Sequence, residues 1–115
     1  EFLSLTVTPT NASSILKIHA HLNVGGATGG IITGAIFVDA TANALAASTQ
    51  QINASTAMAT LPITHYETAA STTQRVYHVR AGASAATDGF INGDLSSRLM
   101  GGRAISLLSV EEYLP

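Results

Sequence analysis

The segment from Leu16 to Gly26 reads "LKIHAHLNVGG" and places His19 and His21 one residue apart. Imidazole is a common metal ligand in proteins, so this spacing raises the question of a metal site. On a β-strand both side chains point to the same face, with Cα atoms roughly 6.5 to 7 Å apart, and both rings could reach one ion. A stable site needs further ligands, which could come from His78 or from symmetry-related copies of the pair.

The alternative interpretation is a polar strip on the solvent-facing side of a strand. Lys17, His19, His21 and Asn23 alternate with apolar residues, and the Lys17 ammonium group opposes binding of a cation beside it. Within one chain we therefore predict no metal site and no cofactor. His19 and His21 remain candidate ligands only in a trimer that places this face on its threefold axis.

Hydrolytic chemistry has little support in the residues. Cysteine is absent, and no Gly-x-Ser-x-Gly nucleophile elbow occurs. A carboxylate pair for glycoside cleavage would have to come from Asp39, Glu67, Asp88 or Asp94, and with so few acids nearly any two can be nominated. We predict that the chain is not an enzyme, and a small polysaccharide-degrading domain is kept as the alternative.

Sugar binding requires aromatic platforms flanked by planar polar side chains. Tyr77 lies between Val76 and His78, close to two arginines, which makes a polar-aromatic patch. We therefore predict a ligand-binding set of Tyr77, Arg75, Arg80 and Tyr66; further rings are available at Phe90 and Tyr113. The alternative is that these tyrosines are half-buried packing residues, as most tyrosines in small sandwiches are.

Composition limits the possible partners. Charged residues make up 10% of the 115 residues, against roughly a quarter in typical soluble proteins, so part of the surface is expected to be buried against other copies. The net charge is −2 and the five basic residues are scattered singly, which argues against nucleic-acid binding. No apolar run has membrane-spanning length, so no membrane insertion is expected.

Short alternating segments separated by Gly, Asn and Ser clusters predict the elements that position these residues. In "ILKIHAHLNV" the aliphatic residues face one way, and "IITGAIFVDA" is apolar on both faces, as expected of a central strand or one lying against another subunit. "TLPITHYETA", "TQRVYHVRAGA" and "AISLLSVEEYLP" also read as strands, whereas "TANALAASTQQINASTAMA" reads as loop and irregular strand. The pattern predicts one all-β domain over residues 1–115, a single-domain antiparallel β-sandwich, jelly-roll-like, with about seven or eight short strands.

Several stretches resemble a domain found at the C-terminal end of bacteriophage tail fibres and tailspikes. They are "LTVTPTNASSILKIHAHLNVGG", "GAIFVDATANAL", "ETAASTTQRVYHVRAGAS" and the closing "GGRAISLLSVEEYLP". The likeness lies in the order and texture of strands and turns over most of the chain, and no catalytic or binding residue can be carried over from it.

The resemblance implies a homotrimer at the tip of a virion fibre or spike, extracellular on host attachment. Its function would be receptor binding to a host cell-surface glycan, trimer stabilisation, or both, and the chain would be the C-terminal fragment of a longer protein. Besides the enzyme, a non-viral β-sandwich such as a carbohydrate-binding module or a cytokine-like trimer stays open.

Overall fold

The computed structural model describes residues 3–26, 30–52, 57–83, 89–92 and 105–115, and these contain eight β-strands and no helix. In chain order the strands are β1 (Leu3–Val7), β2 (Ile15–Gly26), β3 (Gly30–Val38), β4 (Ala46–Ile52), β5 (Met58–Thr68), β6 (Arg75–Ala83), β7 (Gly89–Ile91) and β8 (Leu107–Tyr113). The described part of the chain therefore has no helix that could cross a membrane.

The strands form two antiparallel sheets that pack face to face. Sheet A has the order β1-β6-β3-β4. In sheet B, β5 pairs with one side of β2, while β8 and β7 pair one after the other along its opposite side. Three pairings are nested, since β3 pairs with β4, β2 with β5, and β1 with β6. Such nesting is the jelly-roll arrangement, so the predicted antiparallel β-sandwich is confirmed.

The core lies between the inner faces of the two sheets, and the period-two alternation of β2 supplies its centre. The five inward-facing residues of β2 are all fully buried: Leu16, Ile18, Ala20, Leu22 and Val24. Sheet A contributes Ile32 and Ile36 from β3 and Val79 from β6 to the same cluster. Each large aliphatic side chain buried in this way contributes about 1.5 to 3 kcal/mol, which is why a one-residue slip of β2 would be costly.

Gly34 allows β3 to approach sheet B closely. A Cβ at this position would overlap Leu22 Cδ1 and would lie 3.4 Å from Ile63 Cδ1. Leu22 therefore packs into the space that a side chain at position 34 would occupy. This packing explains why a glycine, Gly34, stands inside the strand segment "IITGAIFV".

A turn at Asp39 joins β3 to the rest of sheet A. Asp39 has a φ of 49°, a left-handed conformation that aspartate tolerates better than most residues. Its N–H donates to Val76 O at 2.8 Å, and its Oδ1 accepts from Val76 N at 2.8 Å. The turn is thereby tied to the start of β6 from both its backbone and its side chain.

The segment interpreted from sequence as loop and irregular strand is more regular than that. Bends occur at residues 42, 43 and 45, but β4 pairs with β3 without interruption from Ile36↔Ala46 to Gly30↔Ile52. Ala, Ser and Gln have weak β-propensity, so the local sequence does not reveal this strand. The conformation of β4 is decided by its pairing with β3 and not by a pattern within the segment itself.

Glu112 connects the end of β8 to the loop between β1 and β2. Its Oε1 accepts from Thr10 N at 2.9 Å, Thr10 Oγ1 at 3.0 Å and Asn11 N at 3.2 Å. The nearby Ser14 hydroxyl lowers the pKa of Glu112 the most, although this buried hydroxyl lies outside hydrogen-bond geometry. The hydrogen bonds from Thr10 and Asn11 lower the pKa of Glu112 further. The carboxylate form is therefore favoured by folding.

We expect the Glu112→Gln variant to melt at a lower temperature than the wild type at pH 7. Because the folded-state pKa lies below the ordinary value of 4.5, this contribution to stability is present above that pH and is lost as the pH falls through and below it. The gap in Tm between wild type and variant should therefore close towards pH 3. Thermal melts followed by circular dichroism at pH 7, 5, 4 and 3 measure it.

Glu111→Gln is the matched control, because Glu111 is the neighbouring carboxylate on the opposite face of β8. Because Glu111 is exposed and accepts only one hydrogen bond among the described residues, its replacement should change the pH dependence of Tm less than Glu112→Gln does. If the difference in Tm between the wild type and Glu112→Gln were as large at pH 3 as at pH 7, the lost stability would come from the shape of the side chain and not from its charge.

Candidate functional site

The four residues predicted to bind ligand lie in three separate places. Arg75 and Tyr77 are on the inner face of β6 at one end of the sandwich. Arg80 is three residues further along β6 and lies on the outer face of sheet A. Tyr66 is on the outer face of sheet B, opposite Lys17. The structure brings together only the first two.

Glu67 is the centre of a polar cluster at the end of the sandwich. Tyr77 donates its hydroxyl to Glu67 Oε1, Arg75 Nη1 lies 3.6 Å from the same oxygen, and His65 Nε2 lies 3.6 Å from Oε2. Arg75 also donates from Nη2 to the Ala69 carbonyl at 2.6 Å. The arginine thus bridges β5, the turn after it and β6, and its role in the described structure is to hold these segments together.

Tyr77 is a core residue whose hydroxyl reaches this cluster. The residue is 0% exposed, and its ring belongs to the hydrophobic core. Burial, followed by the adjacent Glu67 carboxylate, raises the pKa of Tyr77 well above its ordinary value of 10.0. Its ring offers no surface to an external ligand, because neighbouring side chains surround it.

A cleft of about 410 Å³ opens beside this cluster. Its polar lining comprises Asp39, Glu67, Ser71, Thr73, Gln74 and Arg75. Two of the four acids considered for glycoside cleavage, Asp39 and Glu67, therefore face one cavity, while Asp88 and Asp94 lie outside the described residues. Both carboxylates already accept hydrogen bonds, Asp39 from Val76 N and Glu67 from Tyr77.

A shallow groove of about 350 Å³ crosses the outer face of sheet A. Thr33, Ala35 and Gly82 form its floor, and Phe37 and Arg80 border it. These positions share a face because β3 and β6 are paired in register, with Thr33 opposite Gly82 and Ala35 opposite Arg80. Small residues on two adjacent strands thus leave a depression that larger side chains would fill.

The Arg80 guanidinium lies on an aromatic stack. Its Cζ is 4.7 Å from the centroid of the Phe37 ring, and Phe37 stacks on His78 with ring centroids 5.8 Å apart and an interplanar angle of 20°. His78 is only 4% exposed, and its Nε2 lies 2.7 Å from the Asp39 carbonyl oxygen. The stack has a buried, hydrogen-bonded base, and it holds the guanidinium in a defined orientation by a cation–π contact.

The outer face of sheet B combines exposed apolar side chains with a polar central row. Four large side chains on this face are exposed: Ile15 at 41%, Tyr66 at 60%, Leu107 at 43% and Tyr113 at 49%. They occupy β2 and the two strands that flank it, as the register shows. Between β5 and β8 runs the β2 row of Lys17, His19, His21 and Asn23, all half-buried by these neighbours.

Tyr66 and Tyr113 lie on opposite sides of β2, so their strands are roughly 10 Å apart. Tyr113 donates to Glu111 Oε2 at 2.5 Å, and this hydrogen bond raises the pKa of the Tyr113 hydroxyl. Lys17 faces Tyr66 on one side and Glu111 on the other. Aromatic, cationic and anionic groups therefore meet at this end of the sheet.

His19 and His21 share the outer face of β2, as the alternation predicts. His19 Nδ1 is 2.9 Å from Thr64 Oγ1, while His21 is flanked by Pro62 and Leu107. His78, the third ligand considered, belongs to the other sheet and is buried. No group of three or more potential metal ligands occurs among the residues that the structure describes. The hypothesis of a site formed by several copies stays a prediction.

Sequence reasoning missed two parts of these surfaces. Phe37 was not considered as a ring near Arg80, although it lies in a strand with two apolar faces and cross-strand pairing places it beside His78. Glu67 was considered only as a catalytic acid and not as the partner of Tyr77. For Phe37 the sequence held a usable signal, since the outward positions of "IITGAIFV" include this ring.

No protein-family model matches the sequence, and no curated protein matches it. The function of the chain is therefore inferred from the surfaces of its two sheets.

Proposed function

We propose that this chain is the trimeric C-terminal domain of a phage tail fibre or tailspike, which mediates recognition of host-surface polysaccharide and stabilises the trimer. The observation that carries the proposal is the outer face of sheet B. Its four exposed apolar side chains, at Ile15, Tyr66, Leu107 and Tyr113, lie on one continuous sheet surface. Exposed large apolar side chains interspersed with a polar row are typical of a protein–protein interface.

A second copy of the same chain is the partner that fits this face best. Lys17 and Glu111 are cross-strand neighbours on it, so the face carries both signs of charge. A rotated copy can set the ammonium group of one chain against the carboxylate of the next, while the apolar side chains of both are buried. Self-association would also account for the charged content of only 10%, because a surface covered by copies needs less charge to stay in solution.

The location of the proposed interface differs from one of the two sequence-based expectations. The two apolar faces of "IITGAIFV" predicted either a central strand, which β3 is in sheet A, or a strand whose outer face meets a neighbouring subunit. On that face Ile31 is 43% exposed, but the residues that follow it outward on β3 are Thr33, Ala35 and the partly covered Phe37. Sheet B therefore presents more exposed large apolar side chains, and the outer face of sheet A stays available for a host ligand.

Size-exclusion chromatography with light scattering tests the trimer. A mass three times the 11.8 kDa of one chain, unchanged on tenfold dilution, is the expected result. A monomeric mass would remove the central claim and would favour a monomeric, non-viral carbohydrate-binding module. Binding to a glycan array, measured on the same sample, then separates host recognition from trimer stabilisation alone.

A polysaccharide-degrading domain is the second candidate, because Asp39 and Glu67 line one cleft. Cleavage would require one carboxylic acid to protonate the leaving group and one carboxylate to act as base or nucleophile. If reducing ends are released from host polysaccharide, Glu67→Gln should abolish their release. Absence of turnover across bacterial polysaccharides would leave this candidate without support.

A further inference from the structure

We propose that the groove on the outer face of sheet A binds an acidic sugar residue, with Arg80 holding its carboxylate. This inference deepens the proposed recognition function and depends on it. Arg80 borders the groove, and the sugar ring would lie over the floor formed by Thr33, Ala35 and Gly82. The groove volume of about 350 Å³ is at the lower end of small-ligand sites, which suits one or two sugar rings.

The charge of the site favours an anion. Among the described residues, no carboxylate lies within 4.0 Å of the Arg80 guanidinium, whereas Arg75 is already paired with Glu67. A guanidinium presents its N–H donors in a planar fork that fits a carboxylate with two parallel hydrogen bonds. Within the described part of the chain, Arg80 is therefore a cation without a carboxylate partner, on a chain whose net charge is −2.

The geometry of the site favours a preorganised contact. The Phe37 ring lies 4.7 Å from Arg80 Cζ, and Phe37 in turn stacks on the buried His78. The cation–π contact restrains the Arg80 side chain, so less side-chain entropy is lost when the guanidinium binds a ligand. The faces of the Phe37 ring are occupied by Arg80 and His78, so the small side chain of Ala35 on the groove floor is the surface that suits the apolar face of a pyranose ring.

The absence of a side chain at Gly82 leaves the groove open, and a larger residue at this position would block it. No atom lies within 4 Å of the position of an added Cβ at Gly82, so a valine there would point into open groove without displacing the fold. Valine is also favoured in a β-strand. Gly82→Val is thus a variant that fills the site while leaving the sheet and the Arg80 charge in place.

The test is calorimetric titration with three carboxylated oligosaccharides: oligogalacturonate, oligomannuronate and oligosialate. We expect the wild type to bind at least one of them and to bind its methyl ester at least tenfold more weakly. Arg80→Gln should weaken binding by about tenfold to a hundredfold, as expected for a lost hydrogen-bonded charge pair. Gly82→Val should weaken it at least tenfold by occupying the groove.

Thr72→Glu is the matched control, because it lowers the net charge by the same unit at an exposed position before β6 that does not line the groove. Its affinity should stay within twofold of the wild type. The proposal is overturned if none of the three oligosaccharides binds, if the esters bind equally well, or if Thr72→Glu weakens binding as much as Arg80→Gln. It is also overturned if polyglutamate binds as tightly as the sugars, since the ligand would then be an acidic peptide.

Light scattering on the same variants keeps the two proposals separate. A trimer that binds no acidic sugar overturns the groove assignment and leaves the trimer intact. A monomer that binds acidic sugar through Arg80 overturns the trimer and leaves the groove assignment standing.

Discussion

Replacing Tyr77 with alanine should lower the free energy of unfolding by about 3 to 5 kcal/mol, the range found for large aromatic residues removed from a core. The side chain is fully buried between the sheets, and its removal also leaves Glu67 without the hydroxyl that donates to it. A loss of this size corresponds to a fall in Tm of roughly 10 to 20 °C for a domain of this length. Urea denaturation and thermal melts at one fixed protein concentration measure it.

Tyr77→Phe is the matched variant, because it keeps the ring and removes only the hydroxyl. Its cost should be about 1 to 2 kcal/mol, since the hydrogen bond to a carboxylate is lost while Arg75 remains 3.6 Å from Glu67. If Tyr77→Ala cost no more than Tyr77→Phe, the ring would not be part of the core. Equal glycan affinity in the wild type and in Tyr77→Phe is the further expected result for a residue that does not face ligand.

The hydroxyl of Tyr77 should also leave a signature at high pH. Burial raises the pKa of Tyr77 above 10.0, so the tyrosine stabilises the fold fully below that pH and loses its contribution as the pH rises beyond it. The wild type should therefore lose stability between pH 10 and 11 to a greater extent than Tyr77→Phe. The comparison cancels the contributions of all other groups, because the two proteins differ only in this hydroxyl.

The strands that could be predicted from the sequence are those in which apolar and polar residues alternate. In β2, five inward positions carry Leu, Ile, Ala, Leu and Val, and the outward ones carry polar groups apart from Ile15, so one segment identifies both its conformation and its buried face. For β4 the deciding interaction is with β3, and its Ala, Ser, Thr and Gln residues hold no comparable pattern. The nested order of pairing likewise depends on contacts between distant segments.

The candidate site could be predicted in its residue types but not in its grouping. Arg75, Tyr77 and Arg80 are neighbours in sequence, yet residues an odd number of positions apart on a strand point to opposite faces. Arg80 therefore lies on the outside of sheet A, while the other two reach Glu67 at the end of the core. The alternation of inward and outward positions within β6 was sufficient to predict that Arg80 lies apart from Arg75 and Tyr77. The stacking of Phe37 on His78 required the β3–β6 register, which the sequence does not state.

Tyr66→Glu should convert the proposed trimer into a monomer that is still folded. Tyr66 is 60% exposed on β5, so its loss removes little packing within one chain. A glutamate there would face Lys17 across the strand pair, a favourable cross-strand combination that supports the monomer. In the trimer the same carboxylate would be buried among apolar side chains of a neighbour, where desolvation of an ion costs several kcal/mol. Light scattering should therefore give a single-chain mass with an unchanged circular dichroism spectrum.

Ile31→Glu provides the comparison that locates the interface. Ile31 is 43% exposed on the outer face of sheet A, so both variants add one carboxylate to an exposed apolar position in a strand. If the copies meet through sheet B, Ile31→Glu stays trimeric and only Tyr66→Glu dissociates. The reverse pattern would place the interface on β3, as one of the two interpretations of "IITGAIFV" predicted, and would bury the groove at Arg80. The two masses together thus decide which sheet is covered by the assembly and which is free to contact a host glycan.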